Sequence, residues 1–375
     1  MSWDLEAELA ELEQRHLRRR LRVSETQALN FASNDYLGLA QSDFLKQTLL
    51  ESVARQGAGS GASRLVVGTK GPHQRLEEQI AAFKQKQAAL TFSSGYAASV
   101  GVITSVVGSD DVVLLDKFAH ASLIDAAKLS GATIRVFPHN HLGKLERLLQ
   151  STAATARRTL IVTESIFSMD GDECPLREIV ELKDKHGAWL LLDEAHAIGV
   201  IGPGGRGLAA DLGLADQVEI HLGTLSKALG LSGGYIAGSR ALIDVLINRA
   251  RSFIYTTAPP PALAEAAAGA LAHVSGRQGD SLRQQLHQNV QQLRHGLQNV
   301  PKDRSAIIPY IVGAENAALE LAEQLRAQHN IIAPAIRYPT VPRGTARLRL
   351  SVSAIHSSEE IQHVTDALSI SMKAS

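Results

Sequence analysis

The sequence predicts an α/β fold in which a mostly parallel sheet is covered by helices on both faces and is followed by a small C-terminal α+β domain. From about residue 75, short runs rich in aliphatic and β-branched residues alternate with helical segments, a pattern typical of parallel sheets. After the proline cluster at 259–261 the pattern changes to a long helical region and then to short strands between helices. The seven apolar runs of the predicted sheet are 88–92, 111–116, 133–137, 158–165, 188–196, 218–224 and 233–239.

The N-terminal segment predicts a helix and an arm. Between Asp4 and Arg20 the acidic residues come first and the basic residues last, an order that complements the helix dipole. Three leucines in this segment fall on one helical face. Residues 29–39 predict a short strand or turn that presents Asn34 and Tyr36.

The C-terminal segment predicts a helical region that reaches about residue 299 and a small domain after it. Its predicted strands are 307–313, 331–336 and 346–353, and its predicted helices lie at about 314–328 and 358–371. We therefore divide the chain into an N-terminal helix and arm (1–41), a large domain (42–272) and a C-terminal α+β domain (273–375).

The composition is that of an ordinary globular protein and excludes several other classes. Hydrophobic residues make up 45% of the 375 residues and charged residues 20%. Lys plus Arg equals Asp plus Glu at 38 each, so no basic surplus indicates nucleic acid or an anionic membrane as partner. No apolar run approaches the roughly 20 residues of a membrane span, and the N-terminus has no signal-peptide core. The single cysteine, Cys174, fits a reducing compartment, and we expect a cytoplasmic protein.

Three side chains that could take part in catalysis or cofactor binding follow two of the predicted strands. Lys227 comes just after the strand 218–224, and Asp193 and His196 lie at the end of the very apolar strand 188–196. Ligands of parallel sheets bind outside the carboxyl ends of the strands. A buried carboxylate needs a cationic or hydrogen-bonding partner, and a pyridinium nitrogen would be such a partner.

Two further strand ends add an anion site and an aromatic ring. Small residues around Gly95 and Tyr96 open a helix directly after a strand, which leaves backbone N–H groups free to bind a phosphate. Thr224 adds a hydroxyl, and His120 is placed to lay an imidazole over a cofactor ring. These groups together predict a pyridoxal phosphate site with the cofactor held as a Schiff base on Lys227.

The motifs that carry these residues resemble those of the α-oxoamine synthases, a pyridoxal phosphate-dependent family with the fold of aspartate aminotransferase (fold type I). The resemblance spans nearly the whole chain. It rests on LNFASNDYLGL, GSGASRLVVGT, SSGYAAS, DKFAHASLIDAA, ESIFSMDGD, LLDEAHAIGVIGPGGRG, TLSKALG and AIRYPTVPRGTARLRLSVSA.

The resemblance implies a role for each matching residue. Lys227 would hold the cofactor and act as base at the amino acid's Cα, and Asp193 would pair with the pyridine nitrogen. His120 would stack on the ring and His196 would contact its phenolic oxygen. Around the phosphate the implied contacts are Gly95, Tyr96 and Thr224, and beside the ring the implied contact is Ser168. The implied substrate contacts are Asn34, Arg337 and Thr340, and the acyl substrate would meet Arg18 (or its neighbours Arg19 and Arg20). Thr256 or Thr257 would contact the phosphate across a dimer interface.

The resemblance also implies a reaction. Within the family the match is closest to enzymes that condense L-alanine with a pimeloyl thioester, carried by coenzyme A or acyl carrier protein, in biotin biosynthesis. The expected enzyme is a homodimer with shared active sites. The alternatives are glycine with acetyl-CoA or succinyl-CoA, and serine with a long acyl donor. 5-Aminolevulinate synthases usually have Glu where this chain has Ala346, which favours alanine. An aminotransferase or a non-enzymatic ligand sensor of the same fold is a more distant alternative.

Several weaker motifs are set aside. Residues 193–196 spell DEAH, but no phosphate loop accompanies them, so a helicase is rejected. The glycines at 57–61 follow a helical segment instead of a strand, so they are not a dinucleotide fingerprint. His139 and His141 have no clustered partners for a metal, and we expect a solvated turn and no metal. Residues 202–207 predict a flexible turn.

Overall fold

The central sheet of the large domain has seven strands in a mostly parallel arrangement. The computed structural model describes residues 3–15, 17–21, 23, 28–152, 156–297, 300–301 and 303–373. Its strands are β1 (Leu29–Asn30), β2 (Ala88–Phe92), β3 (Val112–Asp116), β4 (Thr133–Phe137), β5 (Thr159–Glu164), β6 (Trp189–Asp193), β7 (Ile220–Thr224), β8 (Gly234–Gly238), β9 (Ile307–Gly313), β10 (Ile331–Ile332), β11 (Ala335–Ile336) and β12 (Ala346–Ser351).

Strand order explains why the candidate site residues lie at one edge of this sheet. The order is β2-β8-β7-β6-β5-β3-β4, and only β8 runs antiparallel to its neighbours. Consequently β2, β3, β5, β6 and β7 all end at the same edge. Each of the seven predicted apolar runs contains one of these strands, so the predicted α/β class is confirmed.

Helices cover both faces of the sheet, as the sequence predicts. The long helical region proposed to reach residue 299 is instead two helices that meet at Gly276. The helices are α1 (Leu5–Gln14), α2 (Asp43–Gln56), α3 (Gly71–Phe83), α4 (Gly95–Val106), α5 (Ala121–Ser130), α6 (Leu142–Thr152), α7 (Leu176–His186), α8 (Leu208–Asp211), α9 (Arg240–Arg249), α10 (Arg251–Ile254), α11 (Pro261–Ser275), α12 (Arg277–Gly296), α13 (Glu315–His329) and α14 (Ser358–Lys373).

Three apolar clusters hold these layers together. One packs α4, α5 and α9 on one face of the sheet, and a second packs α6 and α7 on the other. The third joins α3 and α11 to α12, α14 and the small antiparallel sheet β11-β12-β9. The pairing of β1 with β10 ties the N-terminal arm to the C-terminal segment. The domain boundaries given above stay a prediction.

The N-terminal helix forms as predicted, with Asp4 as its N-cap. Its apolar stripe of Leu5, Leu9 and Leu12 is left uncovered, since these side chains are 37–58% exposed. In the described parts of the chain, no helix is long and apolar enough to cross a membrane.

Candidate active site

A cavity of about 180 Å³ lies at the edge where the parallel strands end. Because β7, β6 and β5 are adjacent and parallel, their last residues or the turns after them open into the same space. The predicted site residues that line this cavity are Gly95, Tyr96, His120, Asp193, His196, Thr224 and Lys227. The structure therefore brings these predicted strand-end side chains together around one cavity.

A chain of hydrogen bonds leads from Lys227 into the protein. The Lys227 Nζ lies 2.7 Å from His196 Nε2, and His196 Nδ1 lies 2.6 Å from the hydroxyl of the fully buried Tyr36. That hydroxyl donates to Asn34 Oδ1, which also accepts from the Arg349 guanidinium. All these contacts are satisfied when Lys227 donates to Nε2 and Nδ1–H donates to Tyr36.

Burial and charge determine the protonation of the groups in this series of hydrogen bonds. Burial lowers the pKa of Lys227 to about 8, although the nearby carboxylate of Asp193 acts in the opposite direction. Burial, followed by the charge of Lys227, lowers the pKa of His196 well below its ordinary value, so this imidazole is neutral. A lysine with a pKa of about 8 is partly an unprotonated amine near neutral pH, which is the form that attacks a carbonyl carbon.

Asp193 stands beside a second buried carboxyl group. One oxygen of Asp193 accepts from the backbone N–H of Ala195. Glu164 is its register partner on β5, lines the same cavity and has an oxygen, Oε1, with no hydrogen-bond partner. Burial and then the charge of Asp193 raise the pKa of Glu164 well above its ordinary value. The charge therefore resides on Asp193 and the proton on Glu164.

The opposite side of the cavity is a cradle of small residues. Helix α4 begins at Gly95, and its N-cap Ser94 accepts from a backbone N–H of the first turn. A Cβ on Gly234 would meet the Gly95 nitrogen at 2.7 Å, so only glycine lets β8 approach this helix terminus so closely. The Thr224 hydroxyl faces Gly95 and contacts Ser226 Oγ at 2.7 Å. A helix N-terminus with nearby hydroxyls is a suitable site for a phosphate.

His120 forms the wall between this cavity and a larger one. Its Nδ1 accepts from the backbone N–H and the hydroxyl of Ser122, at 3.2 and 2.9 Å, which leaves Nε2 as the ring's donor. Burial lowers the pKa of His120, against the opposing effect of Asp193, so the ring is neutral. A neutral imidazole can lie against a protonated pyridine ring without the charge repulsion that an imidazolium would meet.

These groups fit pyridoxal phosphate. The cavity offers an amine for the aldehyde, a buried carboxylate for the ring nitrogen, a histidine for the phenolic oxygen and a helix terminus for the phosphate. In the described chain Asp193 has no arginine or lysine in a salt bridge, although it is only 7% exposed. A pyridinium nitrogen would supply the partner that such a carboxylate needs.

A buried ion pair supports the strand that carries Asp193. Lys84 bonds Glu194, the next residue along, at 2.5 Å, and His221 lies 2.9 Å from the same oxygen. Burial alone would raise the pKa of Glu194, but Lys84 and His221 outweigh it and lower the pKa to about 2. The carboxylate also accepts from Ala209 and so fixes the turn after β6.

The remaining predicted residues lie outside the cofactor cavity. Ser168 and Thr340 line the larger cavity beyond His120, and Arg337 lies just before Thr340 on the same loop. Arg18 forms an ion pair with Glu13 near the N-terminal helix. Thr256 and Thr257 lie near the surface, where Thr257 pairs with Ser63.

One expectation about turns was wrong. His139 is not in a solvated turn, because it bridges Asp116 and Asp172 at 3.1 and 2.7 Å. Residues 202–207 form a turn, as expected, and Gly207 in it contacts Glu194 so closely that a Cβ would meet Oε1 at 2.4 Å. In the described ranges, no three or more His, Cys, Asp or Glu side chains are arranged so that they could hold a metal ion.

Sequence reasoning missed Glu164 and Arg349 as members of the site. Glu164 was visible at the start of the ESIFSMDGD motif, directly at a strand end. Arg349 is 5% exposed, and it donates to Asn34 and to the carbonyl oxygen of Ser168. Its signal was an arginine at a buried position of a strand, which the alternation in ARLRLS indicates only weakly.

Comparison with known proteins places the chain in a family. The model of class I and II aminotransferases matches residues 26–368. The 8-amino-7-oxononanoate synthase of Dechloromonas aromatica is 45% identical and covers 97% of this chain and 98% of its own length. The corresponding protein of Chromobacterium violaceum is 44% identical and covers 97% of both chains.

Solved structures agree with this comparison. Serine palmitoyltransferase of S. paucimobilis, with pyridoxal phosphate and myriocin bound, superposes with a TM-score of 0.91 at 27% identity, over 99% of this chain and 97% of its own. The 8-amino-7-oxononanoate synthase of Francisella tularensis gives a TM-score of 0.80 at 29% identity, over 93% of this chain and 99% of its own.

Proposed function

The chain belongs to the class I and II aminotransferases and, within them, to the 8-amino-7-oxononanoate synthases, and from this we propose that it condenses L-alanine with a pimeloyl thioester in biotin biosynthesis. Pyridoxal phosphate is its cofactor, as in the solved relatives. The observation that carries the proposal is the meeting of Lys227, Asp193, His196 and His120 around one cavity beside the N-terminus of α4.

We propose the following roles for the chain's own residues. When bound, pyridoxal phosphate supplies an electron sink for the charge that develops at the amino acid's Cα. Lys227 would hold the cofactor through Nζ and, as a free amine, would accept the Cα proton. Asp193 would keep a proton on the ring nitrogen, and His120 would lie against the ring. His196, held by Tyr36, would contact the phenolic oxygen.

The acyl transfer needs positioning more than further acid–base groups. Thr340 and Ser168 line the cavity beyond His120, where the thioester carbonyl would approach Cα, and Arg337 would hold a substrate carboxylate. The carrier leaves as a thiolate, which takes a proton from solvent, and carbon dioxide is lost from the product; Lys227 would then return its proton to Cα. Holding both substrates against one another in this way accounts for a large part of the rate in such condensations.

We also propose a homodimer that shares its active sites. The turn Arg64–Gly68 exposes Leu65, Val66 and Val67 by 52–74%. It follows Ser63, which pairs with Thr257. An exposed apolar patch of this kind is usually covered by another chain. A second copy on this patch would bring its Thr256 or Thr257 hydroxyl towards the partner's phosphate site.

A cytoplasmic location is part of the proposal. Cys174 is buried, and burial raises the pKa of its thiol well above the ordinary value, so it is an unreactive thiol that forms no disulfide. Arg18 remains the proposed contact for the acyl substrate, which is carried by coenzyme A or acyl carrier protein.

The experiment that tests the proposed function is a matrix of substrates. L-Alanine, glycine and L-serine are each supplied with pimeloyl-CoA, acetyl-CoA, succinyl-CoA and palmitoyl-CoA, and released thiol and carbon dioxide are measured. We expect alanine with pimeloyl-CoA to give the highest kcat/KM, and the Lys227→Ala variant to give no product. Faster turnover of glycine with acetyl-CoA or succinyl-CoA, or of serine with palmitoyl-CoA, would show that the substrates are wrong.

A further inference from the structure

A second, larger cavity adjoins the cofactor cavity and shares His120 with it. Its volume is about 570 Å³, against about 180 Å³ for the cofactor cavity. Ser168 and Thr340 line it, so it opens on the place where the thioester would meet the amino acid. Its walls come from the residues after β3, the turn after β5 and the loop at 338–343.

The walls nearest His120 are apolar and firmly held. Phe118 and Phe167 line the cavity together with Val341, which is 4% exposed. Both aromatic rings pack on His139, Phe118 stacked at 4.6 Å and Phe167 edge-on at 4.3 Å between centroids. A preformed apolar slot of this kind suits a chain of methylene groups.

The outer part of the same cavity has an excess of positive charge. Three charged residues line it, namely Lys117, Asp170 and Arg343. Asp170 is already neutralised by an ion pair with Arg347. Lys117 and Arg343 are exposed, and neither has a carboxylate within salt-bridge distance in the parts of the chain that the structure describes.

Arg343 also has an aromatic neighbour on its own loop. Its guanidinium lies over the ring of Tyr338, 4.1 Å from the centroid, an arrangement that leaves the edge N–H groups of the guanidinium free to bind an anion. The cavity therefore has an apolar inner part and two unpaired cations towards solvent.

We propose that this cavity receives the acyl part of the donor and that Lys117 and Arg343 bind an anionic group of that donor. The inference rests on the proposed function. Two parts of a pimeloyl thioester carry such a group: the terminal carboxylate of the acyl chain, and the phosphates of the carrier. Either anion would be held by the same two side chains, so donor recognition here depends on charge as well as on chain length.

The test measures dissociation constants by calorimetry with the cofactor-loaded enzyme in the absence of amino acid, so that no turnover occurs. Four donors separate the two sources of charge: pimeloyl-CoA, heptanoyl-CoA, and the N-acetylcysteamine thioesters of pimelate and heptanoate. The variants are Lys117→Gln with Arg343→Gln, the charge-preserving pair Lys117→Arg with Arg343→Lys, and the control Lys128→Gln, an exposed lysine on α5.

We expect the Gln pair to weaken binding about tenfold or more, and the charge-preserving pair to restore most of it. If the cations bind the acyl carboxylate, the loss occurs with both pimeloyl donors and is absent with both heptanoyl donors. If they bind phosphate, it occurs with both CoA thioesters and is absent with both N-acetylcysteamine thioesters. An equal loss for all four donors, or no loss for any, overturns the inference. Failure of the wild type to condense alanine with pimeloyl-CoA would instead refute the proposed function.

Discussion

At the scale of single residues, two neighbouring carboxyl groups share one negative charge, and the chemistry of the site depends on which of them carries it. Asp193 and Glu164 are register partners at the ends of adjacent parallel strands, and both are almost completely buried. Two carboxylates so close in a buried site do not both ionise. Burial raises the pKa of both carboxyl groups. At Asp193 the charge of Lys227 opposes this effect, whereas at Glu164 the charge of Asp193 adds to it and raises the pKa well above its ordinary value, so the proton stays on Glu164. Glu164 is therefore expected to act as a neutral positioning group.

A protonated, neutral Glu164 predicts opposite results for two substitutions at this position. Glu164→Gln keeps a neutral side chain of the same shape, so kcat/KM should stay within about threefold of the wild type, with an unchanged pH profile. Glu164→Ala empties a buried position, and an activity loss of about tenfold or more, with weaker cofactor binding, is expected. Steady-state kinetics from pH 6 to 9 and cofactor titration of the apoenzyme measure both. A Gln variant as defective as the Ala variant would mean that Glu164 works as a carboxylate.

At the scale of elements, a charged histidine joins the turns after three strands. His139 follows β4 and bridges Asp116 at the end of β3 and Asp172 beyond β5. Burial alone would lower its pKa, but the two carboxylates raise it to about 9. The histidine is therefore charged at neutral pH. Phe118 and Phe167, which form two walls of the larger cavity, pack against its ring.

The raised pKa of His139 predicts a pH-dependent contribution to stability. A group whose pKa is higher in the folded than in the unfolded state stabilises fully below its unfolded value, and this contribution is lost as pH rises through the folded value. Compared with the wild type, His139→Gln should lose about 3 kcal/mol at pH 6 and much less at pH 10. Urea unfolding at both pH values measures this.

A matched control for His139 is His295→Gln. His295 is exposed and has no carboxylate partner in the described part of the chain, so the difference between wild type and variant should be small and nearly independent of pH. If His139→Gln lost the same stability at pH 10 as at pH 6, the bridge would contribute through packing and not through its charge.

The elements also show how far the sequence could predict this site. Lys227, Asp193 and Thr224 were found because strand ends are readable from apolar runs, and parallel strands bring their ends to one edge. Glu164 and Arg349 were not found, because their roles depend on the register of β5 against β6 and on how the small sheet packs on the large domain. His139 was misjudged for the same reason, since both its partners are distant in sequence.

At the scale of the whole molecule, one chain leaves part of the proposed site unfinished. Thr256 and Thr257 do not line the cofactor cavity of their own chain, and the apolar turn Arg64–Gly68 beside them is exposed. A two-fold dimer repeats the same contact twice. In such a dimer each phosphate site would combine Lys227 of one chain with the threonines of the other.

Shared sites predict that two defective chains restore each other. A chain with Lys227→Ala is paired, by co-expression with two affinity tags, with a chain in which Thr256 and Thr257 are both replaced by alanine. If the sites are shared, one site of this heterodimer lacks both Lys227 and the two threonines. The other site has Lys227 from one chain and the threonines from its partner. We expect that site to bind pyridoxal phosphate with wild-type affinity and to give about half the wild-type activity per dimer, whereas the threonine-deficient homodimer binds cofactor more weakly at both sites. Cofactor titration and turnover at limiting cofactor measure the difference. If the heterodimer bound cofactor no better than the threonine-deficient homodimer, each chain would supply its own threonines and the sites would not be shared.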